Sequence, residues 1–94
     1  MASFRDFVAR QEAAATPEEL LLLDQARERV RYAVEIADLR RSRGLSQRRL
    51  ASLSGVPQSE ISRIECGAAN PTAKTLAALT SALGARLSIQ TVEA

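Results

Sequence analysis

The 94-residue sequence has no histidine and no tryptophan, and only two phenylalanines and one tyrosine. Without histidine it lacks the side chain most often used as a general base near neutral pH and as a metal ligand. No clustered metal ligands and no glycine-rich phosphate loop take its place. The adjacent carboxylates Glu18 and Glu19 are better explained as helix-start residues than as an acid–base pair, so neither an enzyme nor a metal or cofactor site is expected. Cysteine is nearly absent too. Cys66 stands alone, which excludes an internal disulfide framework, fits a reducing compartment, and reads as an inert small side chain. No apolar run exceeds four residues, as at Leu20–Leu23, far short of a bilayer crossing, and the N-terminus has no signal-peptide pattern. A cytoplasmic protein is expected.

What is present is aliphatic. Apolar residues make up 46% of the chain, so a single small core of Leu, Ile, Val and Ala is expected, and that composition favours helices. Net charge is only +2, but it is unevenly spread. Residues 1–38 carry five basic and eight acidic side chains, a net of −3, whereas residues 39–94 carry eight and three, a net of +5. One surface suited to a polyanion and another suited to something else follow from that split.

Phe4, Phe7, Val8 and Gln11 fall at helical spacing and predict a short helix over 3–14. The phenylalanines either anchor a partner or fold back on the core. Thr16-Pro17-Glu18-Glu19 is a helix start with a Thr-x-x-Glu capping box, and no glycine or proline interrupts from there to Arg43. Leu22, Ala26, Val30, Ala33, Ile36 and Ala37 form an apolar stripe, with a second through Leu20, Leu23, Arg27, Val30 and Val34. A helix of that length either breaks near 24–29 or projects its first half toward a partner. Gly44 ends it, and Ser46 caps another helix to about Leu53. Gly55 makes a turn, Pro57 opens a helix to about Glu65, and Thr72 caps a last one before Gly84. In RLSIQTV, residues 86–92, Leu87, Ile89 and Thr91 alternate with polar residues, a strand pattern with nothing to pair with in one helical chain.

Two short helices joined by a glycine-containing turn form a helix-turn-helix. Leu45, Leu50, Ala51, Val56, Ile61 and Ile64 would point inward, leaving Gln47, Arg48, Gln58, Ser59, Ser62 and Arg63 outside. The placement of Arg48 and Arg49 in a first helical turn is unfavourable against the helix dipole unless an anion compensates it. Basic residues at 40, 41, 43, 48 and 49 would alone read as a solvated face. Combined with the turn spacing they read as a DNA-binding surface.

From Leu39 to Gly84 the chain resembles the lambda-repressor and Cro type of bacterial and phage regulators, also called the xenobiotic-response-element family. The resemblance rests on Gly44-Leu45-Ser46-Gln47, Leu50-Ala51, Gly55-Val56, Ile61-Ser62-Arg63-Ile64-Glu65 with Gly67, Asn70-Pro71-Thr72 and Thr75-Leu76. It implies base contacts from Gln58, Ser59, Ser62 and Arg63. It implies phosphate contacts from Ser46, Gln47, Arg48, Arg43 and Asn70, and a structural ion pair between Arg40 and Glu65. Cys66 and Pro57 depart from the family, which usually has a polar residue and a hydroxyl cap at those positions.

The strand-like tail makes the chain similar to HigA- and HipB-like antitoxins of type II toxin-antitoxin modules. That resemblance implies a homodimer on an inverted-repeat operator in double-stranded DNA, autoregulation, and a small basic toxin as a further partner facing the acidic N-terminal third. A free-standing repressor is the alternative. The expected architecture is all-α: an N-terminal helical extension (1–38), a lambda-repressor-like helix-turn-helix bundle (39–84), and a C-terminal β-strand (85–94) pairing across a dimer through Leu87, Ile89 and Thr91.

Overall fold

The computed structural model describes residues 3–91. Among them are five α-helices: α1 (Phe4–Ala14), α2 (Pro17–Ser42), α3 (Gln47–Ser54), α4 (Gln58–Glu65) and α5 (Ala73–Ala82). Four begin on a hydroxyl side chain that accepts an amide otherwise without a partner in the first turn. Ser3 accepts from Asp6 at 3.2 Å, Thr16 from Glu19 at 3.2 Å, Ser46 from Arg49 at 3.0 Å and Thr72 from Thr75 at 3.2 Å. Only α4, which follows Pro57, has no side-chain cap. Gly55 closes α3 at φ +78°, a left-handed conformation that costs a Cβ-bearing residue about 1–2 kcal/mol, and it allows the sharp turn into α4.

The core lies wholly in the C-terminal part. Leu50 of α3, Ile61 and Ile64 of α4, Leu79 of α5 and Leu83 just beyond it are all but inaccessible to solvent, and Ile36 of α2 and Val56 of the turn join them. Leu39, Leu45 and Ala51 pack partly against this cluster. The inward set expected from periodicity therefore assembles around one centre, with α4 held between α2 and α3 and with α5 behind α3.

Of the two lengths open to the second helix, the continuous one is found. It runs unbroken for 26 residues, about 39 Å at 1.5 Å per residue, and the chain measures 47 Å along its long axis against 26 and 25 Å across. The expected stripe is buried only at its C-terminal end, at Ala33, Ile36 and Ala37, while Leu22 and Val30 remain exposed. The second stripe stays outside as well, with Leu20, Leu23 and Val34 exposed. α1 meets α2 through a Glu12–Arg27 ion pair and buries no residue.

The expected C-terminal strand is not formed. Residues 85–91 carry no regular β-structure, and there is no strand among the described residues. A strand needs a neighbour to satisfy its backbone groups, and a bundle of helices offers none, so alternation at Leu87, Ile89 and Thr91 does not produce one in a single copy. Residues 92–94, the end of the expected strand, lie outside the described residues.

Candidate nucleic-acid interface

The opposite sides of α4 are sharply different. Ile61 and Ile64, one turn apart, anchor it in the core, which turns Gln58, Ser59 and Arg63 to solvent and leaves Ser62 half-buried. The side chains available for hydrogen bonding thus line one edge of a rigidly seated helix. Ser46, Arg48 and Arg49 are exposed at the start of α3, and Asn70 is exposed on the connection between α4 and α5. A shallow depression of about 430 Å³ brings Ser59, Glu60 and Arg63 together with Asn70. Glu60, an acid at the edge of this basic face, was not singled out by motif or periodicity. Only the packing of α4 beside residues 68–72 reveals it.

Behind that face lies a buried polar cluster. Arg40 binds Glu65 with two parallel bonds, Nε to Oε2 at 2.7 Å and Nη2 to Oε1 at 2.8 Å, and donates its Nη1 to the Leu45 carbonyl at 2.8 Å. Their side chains are only 11% and 6% exposed. Burial would push the Glu65 carboxyl up. The hydrogen bonds from Arg40 and Gln47, with the charges of Arg40 and Arg41, outweigh burial and hold it below its ordinary value. The bond to Glu65 in turn raises the Arg40 guanidinium. This fork ties the end of α2 to the end of α4 and to the loop before α3, so the helix-turn-helix is clamped from within. The Gln47 side chain, expected outside, is half-buried and donates Nε2 to Glu65 Oε1 at 3.1 Å.

Residues 36–90 match the model of the helix-turn-helix family. The chain belongs to that family, in its lambda-repressor and Cro type. This helix-turn-helix protein is also similar, at 46% identity over 61 residues, to an uncharacterized HTH-type transcriptional regulator of Haemophilus influenzae. That alignment takes in 65% of this chain and spans 62% of the regulator's length. Among solved structures it resembles a toxin-antitoxin module from Streptococcus pneumoniae, with a TM-score of 0.67 and 29% identity, covering 98% of this chain and 96% of the other.

Arg43 and the two phenylalanines of the helix-turn-helix protein each take a definite place. Arg43, expected beside a phosphate, is exposed and donates Nε to the Leu83 carbonyl at 3.0 Å and Nη1 to Ser42 Oγ at 3.3 Å, so it also closes the C-terminal end of α5. Phe4 and Phe7 do not fold back on the core; both are exposed, Phe4 at 82%. With Leu21 and Leu22 they leave the N-terminal arm with apolar side chains that are each more than half exposed. Cys66 is exposed and ends α4. Among the described residues no helix is long and apolar enough to cross a membrane.

Proposed function

We propose that the protein is a sequence-specific DNA-binding transcriptional repressor that docks α4 in the major groove. The observation that carries this reading is α4 itself: fully seated through Ile61 and Ile64, with Gln58, Ser59 and Arg63 free on its outer edge. Gln58 has the geometry to pair bidentately with adenine and Arg63 with guanine, each worth about 1–3 kcal/mol of discrimination, with Ser59 and Ser62 as shorter-range donors and acceptors. Ser46, Arg48 and Asn70 hold phosphates on either side, which accounts for arginines at the positive end of α3. The protein acts without catalysis or a cofactor.

Operator reading of this kind is twofold, with half-sites about 34 Å apart in successive major grooves. The exposed tail supports a homodimer formed by pairing Leu87, Ile89 and Thr91 with their copies, since Ile89 is fully exposed and Leu87 only partly covered in one chain. Deleting 86–94 is expected to yield a monomer with much weaker operator binding. A truncated chain that sediments as a dimer removes the tail from the interface.

A selection of duplexes from a randomised pool tests the DNA reading. Arg63→Ala is expected to relax preference at one position per half-site. Arg48→Ala is expected to weaken all duplexes alike and to lower the salt slope by about 1. No duplex binding at low salt sinks the proposal.

The finer reading is the antitoxin of a type II toxin-antitoxin module. Support comes from the similarity to the streptococcal module along nearly the whole chain, N-terminal arm included, and from the acidic, apolar-lined arm itself, which suits a small basic toxin. A neighbouring reading frame whose product arrests growth, relieved by the full chain but not by a chain lacking 1–27, supports it. A free-standing repressor is the second reading, favoured by the likeness to the Haemophilus regulator. Relief of arrest by the chain lacking 1–27 removes the arm from the toxin contact.

A further inference from the structure

α4 carries two acids, and only one of them is spoken for. Glu65 is held in the fork with Arg40. Glu60 is half-buried in the depression that also takes in Ser59, Arg63 and Asn70, and no ion pair among the described residues engages it. The positive end of α4 accounts for an acid in its first turn. It does not account for that acid sharing a depression with Arg63 on a face offered to a polyanion. There an unpaired carboxylate repels phosphate and opposes binding, unless the duplex supplies a donor to it.

The base edges decide which donor that is. A carboxylate only accepts hydrogen bonds. Guanine presents two acceptors in the major groove and thymine presents one beside its methyl group, so both repel it. Adenine has an amine there, but with the N7 acceptor next to it. The N4 amine of cytosine has no such neighbour on its own base. Glu60 and Arg63 are three residues apart, a spacing that sets their Cβ atoms about 5–6 Å from each other on one flank of the helix. Stacked base pairs are about 3.4 Å apart, so the two side chains address the same pair or adjacent ones. We infer that Glu60 is a further specificity-determining residue, which accepts the N4 amine of a cytosine within one base pair of the guanine read by Arg63. Against any other base edge its charge stays unpaired, so Glu60 selects by repulsion as well as by contact. The inference rests on the DNA-binding reading above.

In duplexes selected by the wild-type protein, a cytosine is expected at one fixed position of each half-site, within one pair of the position that Arg63→Ala relaxes. Glu60→Gln keeps the shape of the side chain, removes its charge, and leaves an amide that both donates and accepts. It is expected to bind a scrambled duplex more tightly than the wild type does. The ratio of selected to scrambled affinity should fall about tenfold, the loss of one base-edge contact. Each ratio compares two duplexes on one protein, so any loss of folded protein cancels. The second probe is the selected duplex with N4-methylcytosine at the fixed position, which replaces the amine hydrogen facing the groove. It is expected to weaken the wild type about tenfold and Glu60→Gln by less than about twofold. An unchanged ratio, or an equal loss by both proteins on the methylated duplex, overturns the inference and leaves Glu60 as a helix-start residue in a protein that still binds DNA. If neither protein binds any duplex at low salt, the DNA reading itself fails and takes this inference with it.

Discussion

The two ends of α2 lie on one uninterrupted helix and have opposite fates. At its C-terminal end Ile36 and Ala37 are buried and Arg40 is locked into a fork with Glu65. At its N-terminal end Leu20, Leu21, Leu22 and Leu23 face solvent beside an α1 that buries nothing. Helix formation therefore does not distinguish the two; packing does. The C-terminal end is stabilised by the core. The N-terminal end stands on its caps, on the Glu28–Arg31 and Asp24–Arg27 pairs and on helix propensity, with an apolar surface that lowers its free energy only when something covers it.

The largest test of this contrast is Arg40→Ala. It strands a buried carboxylate and leaves the Leu45 carbonyl without its donor, so thermal or urea unfolding is expected to show a loss of about 3–5 kcal/mol. A loss below about 1 kcal/mol, the value of an exposed pair, shows the fork to be a surface feature. Ile61→Ala comes next, at about 2–5 kcal/mol by the same measurement, because Ile61 is completely enclosed and its removal leaves a cavity under the recognition helix. Gly55→Ala is smaller, about 1–2 kcal/mol. Open space surrounds the position, so the whole effect comes from the left-handed backbone.

Acid sharpens the contrast in another way. Glu65 has a carboxyl held below its unfolded value, so its contribution is present above that unfolded value and is lost as pH falls through the folded one. Stability of the wild-type protein is expected to drop below about pH 4. That acid-induced drop should be weaker in Glu65→Gln, which starts less stable. At the bottom of the scale, Leu22→Ser on the projecting end is expected to change stability by no more than about 0.5 kcal/mol while lowering affinity for whatever covers the arm. A loss of 2 kcal/mol or more would mean that the arm packs on the core.

Much of this was legible from residues because it is local. Thr16, Ser46 and Thr72 sit at the helix starts that their side chains imply, and Gly44 and Gly55 follow helix ends with the positive φ that glycine permits. The inward set of the helix-turn-helix follows from a 3.6-residue period. Long-range polar choices were not legible. Whether Arg43 meets a phosphate or the Leu83 carbonyl forty residues away, and whether Gln47 points out or in to Glu65, depends on how α2, α4 and α5 come together. The tail shows the opposite limit. Its alternation is real, but a strand is a property of two segments, and one helical chain supplies only one.

Amide chemical-shift changes on adding a selected duplex to the labelled protein test the central claim most directly. The account predicts that they concentrate at 46–49, at 58–63 and at Asn70, with 4–27 unmoved. Changes confined to α1 and the start of α2, with α4 silent, would contradict it.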